Sequence, residues 1–249
     1  MKRNIKKIAA IIQARITSTR LPGKVLIDIE GKPMIWYVIN RLKFCKKFDD
    51  IILAIPDTKA NDVLEDFAKD NKVKYFRGSE KDVLSRYYEA AKKFKCDVIV
   101  RITSDCPLID PQIIDWVIKK HLDSDVDYTS NTLKRTFPRG LDAEVFNFKV
   151  LERAYKKAKE NYQREHVTPY IYEHPEIFKL QNIEAKGKLK RPELRLTVDT
   201  KEDLQLAREI YKHLSNLPKI FHTKDIIDLF NKQPQLIKIN AEVKQKDLK

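Results

Sequence analysis

Three stretches of this 249-residue sequence carry side chains whose types and spacing suit chemistry. The first, QARITSTRLPGK at 13–24, holds Arg15, Arg20 and Lys24 with no acid among them, and Thr17, Ser18 and Thr19 add hydroxyls. Fixed cations beside hydroxyl and backbone donors make an anion cradle, and a polyphosphate is its natural ligand. The single glycine of the loop, Gly23, comes last, so it is neither a dinucleotide fingerprint nor a Walker loop. The second stretch is TSDCP at 103–107, with Asp105, and the third is VDT at 198–200, with Asp199. Two carboxylates suit a hard divalent cation such as Mg²⁺, whose other positions phosphate oxygens can fill. Asp105 is the first ligand expected. Thr200 to Asp203 has capping-box spacing, which leaves Asp199 outside the next helix and free to be the second.

To work together these residues must be brought to one edge of a sheet. The runs IAAIIQ (8–13), IILAI (51–55), KVKYF (72–76) and DVIVRI (97–102) read as short buried strands. Between them, 33–44, 60–70 and 82–94 have helical period, an alternation that predicts a doubly wound, mostly parallel α/β sheet. Ligands of such sheets sit beyond the carboxyl ends of the strands, which singles out 14–24, 77–82 and 103–107. After Pro111 we expect helices at 111–122, 148–160 and 164–173, strands at 127–130 and 144–146, and a strand LRLTV at 194–198. The expected organisation is one domain over 1–232, with an inserted α+β section at about 126–192 and a Lys-rich tail at 233–249. No chemistry is legible in the tail.

Composition narrows the function. Net charge is +14, but 36 of the 50 basic residues are Lys dispersed among 36 acids, the pattern of a solvated surface, so no nucleic-acid partner is expected. Cys45, Cys96 and Cys106 form neither a C-x-x-C pair nor an even set, which predicts reduced thiols. No apolar run approaches the roughly 20 residues of a bilayer span, and Gln13 and Arg15 interrupt the apolar start, so no membrane association and a cytoplasmic location are expected.

Further segments follow the first loop: FRGSEKDVLSRY (76–87), RITSDCPLIDP (101–111), DYTSN (127–131), PRGLDAEVF (138–146), REHVTPYI (164–171) and LRLTVDTKEDL (194–204). In this order they resemble the sugar-acid cytidylyltransferases, the group containing the synthetases of CMP-sialic acid and CMP-KDO, and most closely its SpsF branch of spore coat polysaccharide biosynthesis. The resemblance spans roughly residues 8–214 and rests on many ordered motifs. It implies a Rossmann-like, GT-A-like nucleotidyltransferase fold and Mg²⁺-dependent transfer of CMP from CTP to the anomeric hydroxyl of a sugar acid. Pyrophosphate would be released, and the product would serve cell-surface polysaccharide or glycan synthesis. A homodimer is implied as well. Arg15 and Lys24 would hold the triphosphate and, with Asp105, act in catalysis; Gln13 and Ser18 would lie near the nucleotide, and Asp105 and Asp199 at the metal. Where that family has glycine after the first arginine of the loop and before the central aspartate, this chain has Thr17 and Ser104.

The remaining charged residues divide between the two substrates. Arg77 and Arg86 are expected to meet nucleotide oxygens or the base, whereas Asp82, at capping-box spacing from Ser79, reads as structural. Asp142 and Glu144 share a face if their segment is extended, and carboxylates there could accept hydroxyl protons from an acceptor sugar. Arg164 and His166 are candidates for a sugar carboxylate. Rival readings are a nucleotidyltransferase with another nucleotide or acceptor, a GT-A-type glycosyltransferase, and a basic nucleic-acid-binding protein.

Overall fold

The computed structural model describes residues 6–217 and 220–246. Its first strand, β1 (Ile8–Gln13), is apolar at every position but the last, because both of its faces are covered. A two-residue hairpin, β2 (Asp28–Ile29) with β3 (Lys32–Pro33), leads into α1 (Met34–Leu42). Then come β4 (Asp50–Pro56), α2 (Asp62–Asp70), β5 (Lys74–Gly78), α3 (Val83–Lys93), β6 (Val98–Thr103) and α4 (Pro111–Leu122). The chain continues through β7 (Tyr128–Ser130), β8 (Glu144–Asn147), α5 (Phe148–Lys157), α6 (Asn161–His166), α7 (Pro169–Tyr172) and β9 (Leu180–Asn182). It closes with α8 (Lys201–Leu214) and α9 (Thr223–Lys232).

Seven strands form one sheet in the order β5-β4-β1-β6-β8-β7-β9. The pairs from β5 to β6 are parallel, β8 is antiparallel to both β6 and β7, and β9 returns parallel to β7. The mostly parallel α/β architecture read from the sequence is therefore the one observed. Ala10, Ile12, Val98 and Val100 face a core covered by α1, α4, α8 and α9, while Ala9, Ile11 and Ile99 face one covered by α3, α5 and α7. The section at 126–192 supplies β7, β8 and β9 to the same sheet.

Two expected elements differ. The stretch 194–198 is extended but makes only an isolated bridge, Arg139 to Arg195, because its backbone bonds to loops: Leu196 N–H donates to Arg139 O at 2.7 Å and Val198 N–H to Asp105 O at 2.8 Å. The helix expected at 164–173 is split into α6 and α7 at Val167, whose φ of 73° breaks the helical backbone just ahead of Pro169.

Candidate active site

The first loop leaves β1 between two neighbours and is tied to both. Ala14 N–H donates to Ala54 O at 3.2 Å, and Ser104 N–H donates to Gln13 O at 3.2 Å. Ile16 N–H is held by the buried Asn61 side chain at 3.0 Å. Gly23, at φ 68°, takes the left-handed conformation that turns the chain back, and its N–H bonds to Ile16 O at 3.1 Å. This closed turn aims Lys24 inward. Thr17 and Ser104, which replace expected glycines, are absent from the positive-φ positions, so their backbone does not need glycine.

Lys24 Nζ lies 3.0 Å from Asp105 Oδ2, 2.7 Å from Asp199 Oδ1 and 3.1 Å from the Val198 carbonyl oxygen. Arg20 adds a second cation, 2.9 Å from Asp199 Oδ1. Burial works against charge on Lys24, but Asp105 and Asp199 outweigh it and raise its pKa. For Asp105 burial pushes upward, and the Lys24 ammonium with hydrogen bonds from Thr103, Lys24 and Cys106 brings the carboxyl below the usual carboxylate range. Both carboxylates thus converge on one point that already favours positive charge. The same hard-oxygen set is chemically suited to Mg²⁺. Among the described residues no group of three or more His, Cys, Asp or Glu could hold a metal.

Asp199 is held from behind as well. Its Oδ2 accepts from Arg195 Nη2 at 2.8 Å, and its N–H donates to Asp203 Oδ2 at 3.0 Å. Thr200 and Asp203 form the capping box of α8 that the sequence predicts. The loop 136–143 packs on this strut: Gly140 has φ 97°, and a Cβ there would stand 2.5 Å from Thr197 N.

A family model described as cytidylyltransferase matches residues 9–237. The chain belongs to the cytidylyltransferase family. It is 45% identical over 240 residues to an uncharacterized protein of Methanocaldococcus jannaschii, covering 96% of this chain and 97% of that protein. It is 35% identical over 232 residues to the spore coat polysaccharide biosynthesis protein SpsF of Bacillus subtilis, covering 91% and 95%. A solved cytidylyltransferase from Leptospira borgpetersenii serovar Hardjo-bovis is 34% identical with a TM-score of 0.89, covering 97% of this chain and all of that one. The resemblance read from the motifs, with its lean toward the SpsF branch, is borne out, and the protein is a nucleotidyltransferase.

Around the carboxylate pair of this cytidylyltransferase, the other candidates fall into two groups. Gln13 Oε1, Arg86 Nε and Arg101 Nε are buried without a hydrogen-bond partner among the described residues. Burial, with the nearby charge of Arg15, lowers the Arg86 pKa to about 10. Unpaired buried polar atoms are costly, so these three, at the end of β1, in the first turn of α3 and in β6, mark a place suited to a polar ligand. Arg15 itself reaches across to Glu165 at 3.6 Å, with both side chains well exposed, and Ser18 lies half-buried in the loop. Half-buried His166 ends α6 on the same side, its pKa lowered by burial first and then by Arg101, Arg15 and Lys246.

The second group is committed elsewhere. Arg77, expected at the nucleotide, pairs with Glu65 at 2.5 Å and Asp62 at 2.7 Å, because edge strand β5 lies against α2. Arg164, expected at the acceptor, instead clamps Asp82 and the carbonyls of Tyr155 and Ala158, joining α6 to the start of α3. Glu144 is the buried counter-ion of Arg101 and accepts from Tyr128 Oη at 2.8 Å, since the antiparallel register sets it opposite Arg101. Asp142 is held bidentate by Arg135 at 2.7 and 2.9 Å, and it lies near enough to Cys106 to help burial and Asp105 raise that thiol's pKa. Glu144 therefore does not present a free carboxylate to an acceptor, and Asp142 does so only beside Arg135. Sequence reasoning missed Arg101 and Arg195, though the spacing of Arg195 four and eight residues before Asp199 and Asp203 was a readable signal.

Proposed function

We propose that this cytidylyltransferase transfers CMP from CTP to the anomeric hydroxyl of a sugar acid and releases pyrophosphate, with Mg²⁺ held by Asp105 and Asp199. The convergence of these carboxylates with Lys24 and Arg20 on one point carries the reading. Arg15, Lys24 and Ser18 line the loop that would receive the triphosphate, with Gln13 and Arg86 facing the rest of the nucleotide. Held by Asp105 and Asp199, Mg²⁺ would supply the positive charge that neutralises the leaving pyrophosphate. The anomeric hydroxyl oxygen bonds to the α-phosphorus as the bond from phosphorus to the α,β-bridging oxygen breaks, the hydroxyl proton passes to water, and Lys24 and Arg20 stabilise charge developing on the phosphates. No covalent enzyme intermediate is needed, because positioning and charge neutralisation suffice.

The acceptor would lie on the side of His166, Arg15 and Asp142, where cations suit a sugar carboxylate. Similarity to SpsF supports a role in cell-surface polysaccharide synthesis. Pyrophosphate release, measured across four nucleoside triphosphates and a panel of 2-keto-3-deoxy sugar acids with and without Mg²⁺, tests the reading. CTP with a sugar acid should give the highest turnover, and preference for another nucleotide or for a sugar phosphate would overturn it.

A further inference from the structure

From the end of α9 to residue 246 the chain keeps contact with the fold. Residues Pro234–Asn240 form a short 3-10 turn packed on α8 and α9, with Leu236 and Asn240 buried. Asn240 Nδ2 donates to the Arg195 carbonyl oxygen at 3.1 Å and to Asp203 Oδ1 at 2.8 Å. Further on, Gln245 Oε1 accepts from Arg195 Nη1 at 2.8 Å. The Arg195 guanidinium is 8% exposed, and each of its nitrogens has a partner. Nε donates to Asp203 Oδ1 at 2.9 Å, Nη2 to Asp203 Oδ2 at 3.1 Å and Asp199 Oδ2 at 2.8 Å, and Nη1 to Gln245.

A planar fork engaged on all sides has one orientation, and here that orientation decides which way Asp199 faces. With Oδ2 held by Arg195, Asp199 turns Oδ1 toward Lys24 and Asp105. We propose that the C-terminal segment 234–246 is a working part of the active site: Asn240 and Gln245 fix Arg195, and Arg195 aims Asp199. Arg195, Asn240 and Gln245 are positioning residues. The inference rests on the reading of Asp199 as a metal ligand. The sequence gives no hint of it, because neither Asn240 nor Gln245 sits in a motif and the segment is far along the chain from Asp105.

Metal affinity tests the inference apart from turnover. Mn²⁺ binding in the presence of a non-hydrolysable CTP analogue, followed by electron paramagnetic resonance, is compared for wild type, Asp199→Asn, Arg195→Lys, Asn240→Ala, Gln245→Ala and Gln245→Glu. Loss of a partner that orients a metal ligand costs roughly 10–100-fold in affinity. Arg195→Lys should fall in that range, Asn240→Ala and Gln245→Ala, one contact further from the metal, should lose less, roughly 3–10-fold, and Gln245→Glu, which keeps an acceptor for Nη1, should stay near wild type. Thermal midpoints are recorded alongside. Wild-type Mn²⁺ affinity in both Asn240→Ala and Gln245→Ala, whatever their melting temperatures, would overturn the role of the segment. Wild-type affinity in Asp199→Asn would instead overturn the metal reading beneath it.

Discussion

Replacing Lys24 by Met keeps the aliphatic stem and removes the ammonium that sits 3.0 Å from Asp105 and 2.7 Å from Asp199. Two carboxylates then face one another with only Arg20 and Arg195 as counter-ions. Breaking a fully buried ion pair from one side costs ~3–5 kcal/mol, but the Asp105 side chain is 25% exposed and regains some water, which reduces the cost to about 2–3 kcal/mol. In a domain of this size each kcal/mol is worth ~2–4 °C, so the melting temperature should fall by roughly 4–12 °C. The vacated point is also where Mg²⁺ would sit, a place that Lys24 would yield in the wild type when nucleotide phosphates draw it away. At about 100 times its dissociation constant a ligand returns ~2.7 kcal/mol, which is most of the loss. Differential scanning fluorimetry without nucleotide, with and without MgCl₂, should therefore show a wild type nearly indifferent to Mg²⁺ and a Lys24→Met variant largely restored by it. The pair also predicts an acid signature. Asp105 titrates below its unfolded value of 3.8, so its ionisation stabilises the fold above about pH 4 and that contribution fades as pH falls; the variant should lose less stability over that interval. A variant whose melting temperature drops equally with and without Mg²⁺ would refute the idea that Lys24 and the metal share one site.

Asp105→Asn and Asp199→Asn should fold and lose about 100-fold or more in kcat/KM, as expected when several kcal/mol of charge stabilisation is removed; pyrophosphate release near the wild-type rate in either would dismiss that residue from the site. Arg77→Ala should leave nucleotide titrations superimposable on wild type and cost roughly 1 kcal/mol of stability at most, because Arg77 and its carboxylate partners on α2 are partly exposed to water. Gly140→Ala should lower the melting temperature by roughly 4–8 °C, from about 2 kcal/mol of backbone strain and the displacement of Thr197. An unchanged melting curve would mean the loop 136–143 does not lean on the strand behind Asp199.

What could be read along the chain was whatever neighbouring residues decide between themselves. The apolar runs at 8–13 and 97–102 became β1 and β6 because a strand buried on both faces must be apolar throughout. The capping box before α8 formed where its spacing predicted, and it left Asp199 outside the helix. Ordered motifs also carried the family, and those at 13–24, 76–87 and 101–111 run over the carboxyl ends of β1, β5 and β6.

The partners of long charged side chains were decided by the tertiary structure alone. Arg77 and Arg164 look in sequence like free cations near a crevice, but α2 brings Glu65 to the first and α3 brings Asp82 to the second. Glu144 lost its place at the acceptor to a register: β8 runs antiparallel to β6, which sets it against Arg101 and away from water. The tail read as inert because its contacts join residues 240 and 245 to 195 and 203. A guanidinium or carboxylate reaches several ångströms from its backbone and takes the nearest opposite charge, and sequence spacing does not say which element will supply it.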